Sequence, residues 1–453
     1  MRLLRLLALA LALAAPAQAE TVDLTLDQAR LVAQNAHEAG DYALANALAR
    51  RLLEANPNDP QALLLLAATE PLLGNPAAGR KAGRKAWGAA AEFPQLRYEI
   101  ARYTAYAATL ENRPQLAQFW LRRASDTARS DEQYNQTIAD YRQVKAQTPL
   151  RWGIDFSISP TSNLTGSGKG GTLEIDGQLR PGWTNTSLPP LSGVHADAQV
   201  KLGYALPAKA RSQTTLGFQA YGSVNTLSPK SRKLAPGVQG ADFNQYLTEV
   251  SLGHDFLFPG TQHPVHSMLS LGQSWSGGAA LGPNLRLDLS TPILSRADGQ
   301  IVIQSSTERQ WQDKGPVDTQ KLALLGQYKD STGGTWGAGL SLRDVQSAAR
   351  YQQYQEVSGN LSYALPQPIG PVSLSAHLSA AIRDYPAYML SFAQVTNGRQ
   401  DNRFGLSLDM TFQDISLLGY APRISLSGTQ TNSNVSWFDT RQFGIAVGFE
   451  SKF

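Results

Sequence analysis

The last two thirds of the chain repeat one pattern, the alternation of apolar with small or polar residues. At its start Trp152, Ile154, Phe156 and Ile158 alternate with Gly, Asp and Ser, and this two-residue period is that of a β-strand with one apolar face. Similar alternation predicts thirteen further strands, near 194–205, 211–223, 242–256, 264–275, 280–291, 300–311, 319–330, 335–345, 352–364, 372–383, 402–413, 421–431 and 438–453. Each is about long enough to cross a bilayer at a tilt. The pattern favours a membrane β-barrel over a soluble β-sandwich.

The strand count and the loop lengths together predict the topology of the barrel. Bacterial outer-membrane barrels have an even number of strands, so one more strand precedes the thirteen, at 151–159 or at 172–182. We favour 151–159, because glycine and proline interrupt the other segment. The resulting antiparallel barrel of fourteen strands assigns the short turns at 206–210, 331–334 and 366–371 to the periplasm. The longer loops around 160–193, 224–241 and 384–401 are then at the cell surface.

The end of the chain is consistent with a barrel. Phe443, Ile445, Val447 and Phe449 alternate towards Phe453, an ending that resembles the aromatic signal by which outer-membrane barrels are recognised for assembly. We therefore take Phe449 and Phe453 as the barrel assembly signal.

The beginning of the chain has the composition of a secretory signal peptide. Arg2 and Arg5 precede the apolar run Leu6–Ala15, and Ala17-Gln18-Ala19 follows it. This order of a basic, an apolar and a small-residue segment predicts cleavage after residue 19. The alternative is a membrane anchor, but the apolar run is short for a spanning helix, so we expect cleavage instead.

Residues 24–148 follow a helical period instead and contain a repeat. Gly40, Tyr42, Ala45 and Pro57 have the spacing of a tetratricopeptide repeat, and Gly74 lies 34 residues after Gly40, which is the length of that repeat. A third unit has Asn112 at the turn and Ala117 and Ala124 in its second helix, while Gly79 and Gly83 indicate a degraded second unit. We predict a periplasmic α-helical solenoid at 20–149, for binding an extended protein segment, followed by the barrel at 150–453.

The alternative is a helical spacer without a ligand. The basic residues of the helical region are typical of solvated helix faces; they are Arg80, Lys81, Arg84, Lys85, Arg122 and Arg123.

Composition excludes several classes of function. The chain has no cysteine, so it has no disulfide framework, thiolate metal site or cysteine nucleophile. Its net charge of +4 over 453 residues is not gathered into a basic tract, and we expect no nucleic-acid partner.

The remaining chemical motifs are weak. Gly166-Ser167-Gly168-Lys169-Gly170-Gly171 lacks the spacing of a phosphate-binding loop. His263 and His266 have no carboxylate close in sequence to complete a metal site. His254 and His377 have no matched nucleophile. We therefore predict no catalytic residue, no cofactor and no metal, and a protein that is not an enzyme.

The combination of leader, short tetratricopeptide-like domain and fourteen-stranded barrel resembles the surface lipoprotein assembly modifier family, the Slam proteins of Gram-negative outer membranes. The barrel entry Trp152-Gly153-Ile154-Asp155-Phe156-Ser157-Ile158-Ser159-Pro160-Thr161-Ser162-Asn163-Leu164 and the ending Thr431-Asn432-Ser433-Asn434-Val435-Ser436 carry this resemblance. Thr165 departs from it, because the family usually has Asn two residues after Asn163.

The resemblance implies a translocator that helps particular lipoproteins, or related secreted proteins, reach the cell surface, with the helical domain docking the client and the barrel lumen or its lateral seam as the route. It implies an outer-membrane location, with outer-membrane lipid around the barrel and with the barrel-assembly machinery and periplasmic chaperones as further partners. Candidate client or loop contacts are Ser162, Asn163, Asn432, Ser433 and Asn434.

The rival interpretation is an exporter of polysaccharide or a porin-like channel. Repeat scaffolds joined to barrels also serve polysaccharide secretion, although such exporters tend to have longer repeat arrays. Simple porins normally lack a repeat domain.

Overall fold

The computed structural model describes residues 24–168, 172–184, 187–390 and 393–452. The predicted signal peptide, Lys169–Gly171 and Phe453 lie outside these residues. The chain divides into two compact units between Val144 and Lys145, and each is described by itself.

The first unit consists of seven helices. They are α1 (Leu26–Glu38), α2 (Tyr42–Ala55), α3 (Pro60–Leu72), α4 (Pro76–Ala89), α5 (Pro94–Leu110), α6 (Pro114–Thr127) and α7 (Asp131–Gln147). Four of them, α3 to α6, begin with proline, which has no amide hydrogen to leave unpaired in the first turn. Thr25 and Gln28 form a capping box at α1, and Asp41 and Asp59 cap α2 and α3. No helix among the described residues has the length and hydropathy to cross a membrane.

Three tight turns join the first six helices in pairs, α1 with α2, α3 with α4 and α5 with α6. Gly40, Gly74 and Asn112 each have a positive φ, of 83°, 84° and 56°. Glycine and asparagine are the residues that most readily adopt this left-handed conformation at a helix end. The α-helical repeat region predicted from the sequence is thus confirmed.

The glycines of α4 have a packing role. A Cβ atom at Gly79 would come within 2.6 Å of the Pro71 ring, and one at Gly83 would overlap the Thr104 hydroxyl. Glycine in a helix interior ordinarily costs about 1 kcal/mol relative to alanine. Here it allows α4 to approach its neighbours closely, so the residues that suggested a degraded repeat are explained by helix packing.

The second unit is a closed antiparallel barrel of fourteen strands, which confirms the predicted fold class. The barrel strands are β1 (Leu150–Thr161), β4 (Gly193–Ala205), β5 (Ser212–Leu227), β6 (Gln245–Phe256), β7 (Val265–Ser276), β8 (Ala279–Ser295), β9 (Gly299–Gln312), β10 (Gly315–Lys329), β11 (Thr335–Ser347), β12 (Tyr354–Ala364), β13 (Val372–Tyr385), β16 (Arg399–Phe412), β17 (Tyr420–Ser433) and β18 (Thr440–Ser451). Each pairs with the barrel strands that precede and follow it, and β1 closes the barrel by pairing with β18.

The choice of the first strand is also confirmed. Residues 150–161 form β1, whereas the alternative segment forms a separate hairpin of β2 (Thr172–Ile175) and β3 (Gln178–Thr184). Two short strands, β14 (Met389–Leu390) and β15 (Ala393–Gln394), form a second small hairpin.

The two ends of the barrel differ in their connections. The short-turn end has the connections 206–211, 330–334 and 365–371. The long-loop end has the longest ones, 162–192, 228–244 and 386–398, and the second of these contains a short helix, α8 (Pro229–Leu234). The predicted assignment of these ends to periplasm and cell surface remains a prediction, as do the predicted domain boundaries.

Candidate functional site

The barrel wall has an apolar outer face and a polar inner face. On β18 the exposed residues Phe443, Ile445, Val447 and Phe449 point outward. The residues between them point inward and are small or polar, as the two-residue period requires. An outward apolar band around a polar interior is the arrangement of outer-membrane barrels.

The inner wall of β6 and β8 contains a charged cluster. The Arg286 guanidinium lies 3.0 Å from the Glu249 carboxylate and 2.9 Å from the Asp288 carboxylate. The Glu249 side chain is 4% exposed, so this ion pair is largely desolvated. Paired charges of this kind line the wall without leaving an isolated buried charge.

The seam between β1 and β18 has the shortest strand pairing in the barrel. Three register pairs join these strands: Ser157 with Gly448, Ile158 with Val447 and Thr161 with Gly444. On its other side, every residue of β1 pairs with β4. The other neighbouring strands pair at ten or more positions each. The seam is therefore the part of the barrel wall with the fewest pairing positions among the described residues.

The seam pairing is concentrated towards the long-loop end. Its first pair is Ser157 with Gly448, and residues 151–156 have register partners on β4 but none on β18 within the described chain. At this first pair the strands approach closely, because a Cβ atom at Gly448 would lie 2.6 Å from the Phe156 carbonyl oxygen.

A small hydrophobic cluster, the loop cluster, lies at the long-loop end. Its buried members come from four different segments and are Leu173, Tyr385, Tyr388, Leu390, Val395 and Val435. Arg399 lies 3.6 Å from the centre of the Phe438 ring and pairs with Asp401 at 2.6 Å. Burial raises the pKa of the Tyr388 hydroxyl. The loops at this end are thus held by a small hydrophobic core.

Asn434 connects three of these segments. Its side-chain amide donates hydrogen bonds to Asp176 at 2.9 Å and to the Gly398 carbonyl at 3.0 Å, and its side-chain oxygen accepts one from the Gln400 amide at 2.7 Å. Next to it, Ile175 and Val435 form a β-bridge. The hairpin that follows β1 is therefore fastened to the loop that precedes β18.

Asn163 makes a second link across the seam. Its side chain is buried and bonds with Ser167 and Thr165, and its carbonyl oxygen accepts a hydrogen bond from Gln442 at 3.3 Å. Gly168 packs so closely against the Trp437 carbonyl that a Cβ atom would overlap it. We call the contacts of Asn163, Gly168, Ile175 and Asn434 across the seam the loop latch.

The other predicted contact residues have different surroundings. Ser162 is exposed, and Asn432 lies in β17, where its side chain bonds with Gln430. The Ser433 hydroxyl accepts a hydrogen bond from the Val435 amide. Asn163 and Asn434 lie in the loops beside the seam, and Ser433 is the last residue of β17. The role of all five residues as client contacts stays a prediction.

The predicted repeat residues lie within or between the first helices. Ala45 is fully buried, and the Tyr42 ring lies 5.7 Å from the His37 ring. Pro57 is exposed in the turn before α3, where its carbonyl oxygen accepts a hydrogen bond from Lys85.

An aromatic–arginine patch on the helical unit was not predicted. The Arg123 guanidinium lies within 4.9 Å of the rings of Trp87, Phe119 and Trp120, and Arg97 lies 5.2 Å from Trp87. Burial, and then the nearby charge of Arg97, lower the pKa of Arg123. Within the described residues neither arginine forms an ion pair with a carboxylate.

The prediction that the basic residues of the helical region are solvated is correct for some of them. Lys81, Arg84 and Lys85 are exposed. Arg122 is 8% exposed and donates a hydrogen bond to the Tyr141 hydroxyl, and Arg80 pairs with Glu111, so for these two the prediction is wrong. The sequence could not reveal this, because the partners lie on other helices.

Two histidines on the inner wall have carboxylate neighbours that the sequence did not indicate. His266 lies 2.7 Å from Asp255, its register partner on the adjacent strand. His377 lies 3.1 Å from Asp409 and 3.4 Å from Ser375, but through the same ring nitrogen. A catalytic triad uses the two nitrogens separately, one for the serine and one for the carboxylate. The described chain contains no cluster of three metal-binding side chains.

The comparisons with known proteins address the barrel directly. Residues 307–453, which run from β9 to the C-terminus, match the family described as surface lipoprotein assembly modifier. The predicted resemblance is confirmed. The match to the surface lipoprotein assembly modifiers covers about a third of the chain and includes the last barrel strands and the loop that contains Asn434. It supports a general role in surface lipoprotein assembly, which is not an enzyme activity.

The remaining comparisons give low similarity. No curated protein matches the chain. An outer-membrane protein OmpT variant of Vibrio cholerae is 9% identical, covers 66% of this chain and 99% of its own length, and has a TM-score of 0.34. A bacterial polysaccharide outer-membrane secretin is 8% identical, covers 66% and 98%, and has a TM-score of 0.31. The type III secretion translocator chaperone SycD of Yersinia enterocolitica is 17% identical, covers 28% and 88%, and has a TM-score of 0.25.

Proposed function

We propose that this protein is an outer-membrane translocator that brings specific lipoproteins, or related secreted proteins, to the cell surface. The observation that carries the proposal is the family match, which lies on the barrel and extends to its closing strand. In this proposal the short-turn end faces the periplasm, where the helical unit receives clients from periplasmic chaperones, and the barrel-assembly machinery acts beside the barrel.

The aromatic–arginine patch is the proposed docking surface of the helical unit. Residues 76–129 contain ten Lys or Arg and four Asp or Glu, whereas residues 24–75 contain three and six. Arg97 and Arg123 lie among Trp87, Phe119 and Trp120, and the described residues supply no acidic partner for either guanidinium. They suit a client segment that carries both carboxylate and apolar side chains. The docked segment is therefore an acidic part of the client.

The β1–β18 seam is the proposed route. Opening a closed barrel requires breaking one ladder of strand pairing, and the three register pairs of the seam make it the least costly ladder to break. The loop latch holds the long-loop end, so the seam opens first at the short-turn end. Since the backbone edges of β1 and β18 are then exposed, a client strand pairs with them temporarily.

The experiment measures which lipoproteins are accessible on intact cells. Cells lacking the gene are complemented with the wild type, with the double variant Arg97→Gln/Arg123→Gln, or with Arg142→Gln as a matched control on an exposed part of α7. Surface proteins are removed by protease and identified by mass spectrometry. Loss of the gene is expected to leave one or a few lipoproteins synthesised but protected, and the wild type and the control to restore their exposure.

The double variant is expected to reduce exposure of those clients about tenfold, because two partly exposed charged contacts, each worth up to about 1 kcal/mol, are lost together. Full activity of the double variant would contradict the docking surface and leave the translocator proposal intact. An unchanged set of accessible lipoproteins, together with loss of a surface polymer or of solute uptake, would favour the exporter or porin instead.

A further inference from the structure

A row of charged residues crosses the inner wall of four neighbouring strands. Lys321 of β10 is the register partner of Arg343 of β11, Arg343 that of Glu356 of β12, and Glu356 that of Arg383 of β13. The exposed apolar residues of these strands, Leu322, Leu342, Val357 and Ile382, occupy the alternate positions and point outward. The four charged side chains therefore project into the barrel interior at one level.

The single carboxylate of this row is already paired. Glu356 accepts hydrogen bonds from Arg383 at 2.8 and 2.6 Å through the same oxygen. Arg343, its partner on the other side, forms no ion pair within the described residues, and its Nε atom is buried without a hydrogen-bond partner. Lys321 likewise forms no ion pair among the described side chains.

These groups share a cavity of about 460 Å³ on the inner wall. Its charged lining consists of Lys321, Arg343, Arg383, Arg403 and Glu356, four cations and one anion. The acidic Asp255, Asp288 and Glu308 line a neighbouring cavity that Lys321 and Arg343 also reach, but Asp255 is paired with His266 and Asp288 with Arg286. The first cavity thus retains an excess of positive charge.

Like charges directly opposite each other on neighbouring strands destabilise a sheet. Lys321 and Arg343 are such a pair, and neither forms an ion pair with a carboxylate among the described residues. A bound anion would relieve their repulsion and supply the missing acceptor for the Arg343 Nε atom. We propose that this wall of the barrel is a binding site for a polyanionic group with phosphate or carboxylate oxygens, held chiefly by Lys321 and Arg343, with Arg403 alongside.

The site is independent of the proposed translocation, since it requires only the closed barrel. The test uses the purified full-length protein in detergent and inorganic pyrophosphate as the probe, at constant ionic strength. The measured quantity is the melting temperature of the barrel. Unfolding is detected by the change in electrophoretic mobility of the protein. Because a ligand stabilises the state that binds it, pyrophosphate is expected to raise the melting temperature of the wild type in a concentration-dependent manner.

The variants Lys321→Gln and Arg343→Gln are each expected to weaken pyrophosphate binding by about tenfold or more. Without pyrophosphate, Lys321→Gln is expected to melt at a higher temperature than the wild type, because the like-charge pair is removed. Lys321→Gln would then bind pyrophosphate less tightly although it is the more stable protein. A merely structural role of Lys321 would not give these two opposite changes. The matched control is Lys201→Gln, an inward-facing lysine on β4 opposite Gln219, which is expected to respond to pyrophosphate as the wild type does.

Three outcomes would overturn the site. They are a wild type without a pyrophosphate-dependent shift, equal shifts in Lys321→Gln and the wild type, and an equal loss of response in Lys201→Gln. The last of these would indicate a general effect of charge in the lumen. Substituting citrate for pyrophosphate distinguishes a site for any polyanion from one that prefers phosphate oxygens.

Discussion

Strand β1 has two neighbours, and it is joined to them very differently. It pairs with β4 along its whole length, from Leu150 opposite Tyr204 to Thr161 opposite Gly193. With β18 it pairs at three positions. Both ladders are made by the same strand, so the strand propensity of β1 does not explain the difference. The register and extent of the partner strand decide how firmly an edge of the barrel is closed.

The seam also differs along its own length. Towards the long-loop end the loop latch adds contacts between the segment after β1 and the segment before β18, including the Asn434 and Asn163 hydrogen bonds. Towards the short-turn end, residues 151–156 have no register partner on β18 in the described chain. A seam that is fastened at one end and sparsely paired at the other is suited to open like a hinge.

The largest expected effect comes from locking the seam with a disulfide. Ile158 and Val447 are register partners on the outward face, and directly opposite residues have the Cα separation that a disulfide requires. The natural chain has no cysteine, so Ile158→Cys/Val447→Cys introduces a single pair of thiols. We expect the oxidised variant to lose delivery of clients to the surface and to regain it after reduction, as measured by protease shaving.

The matched control locks a complete ladder. Leu361 and Leu378 are outward-facing register partners on β12 and β13, and the variant Leu361→Cys/Leu378→Cys is expected to remain active when oxidised. Full delivery through the oxidised seam variant would exclude an opening that passes the Ile158–Val447 pair and would favour the lumen as the route. The docking role of the helical unit would be unaffected by that result.

The second largest expected effect comes from substituting the glycines of β18 that face β1, which tests how closely these two strands pack. Gly448 and Gly444 both face β1, but a Cβ atom would lie 2.6 Å from a backbone oxygen at the first and 3.1 Å from a serine hydroxyl at the second. We expect Gly448→Ala to destabilise the barrel by about 1–3 kcal/mol, because the backbone must shift. Gly444→Ala is expected to stay within about 0.5 kcal/mol of the wild type. The measurement is urea unfolding of the purified protein. Equal stabilities of the Gly448→Ala and Gly444→Ala variants would show that the strands at Gly448 can separate enough to accept a Cβ atom without cost.

The two-residue period predicted the barrel because it is a local property of the sequence. Fourteen strands, the choice of 151–159 over 172–182 and the helical repeats all follow from periodicity and from turn residues such as Gly40 and Gly74. Each of these depends on residues within one or two elements, where backbone geometry fixes the pattern.

The contacts that define the candidate sites were not predictable in this way. Asn434 bonds with Asp176, 258 residues earlier in the chain, and Arg123 meets Trp87 from a different helix pair. The row from Lys321 to Arg383 becomes visible only once the strand register is known, because register decides which charges lie opposite each other. Sequence reasoning singled out Asn163, Asn432 and Asn434 as a group, and the structure gives them different partners.

The smallest expected effect separates two of these asparagines and tests the fastened end of the seam. Asn434→Ala removes three side-chain hydrogen bonds, to Asp176, Gly398 and Gln400. Asn432→Ala removes one bond, to Gln430 within its own strand. Since the Asn434 partners are partly solvated, we expect a loss of about 1–2 kcal/mol for the first variant and less than about 0.5 kcal/mol for the second. Hydrogen exchange should show faster opening of residues 172–176 and 434–438 in Asn434→Ala alone. Equal protection of these segments in both variants would mean that the loop cluster, rather than Asn434, fastens the long-loop end, and lateral opening would then depend on the packing of Leu173 and Val435.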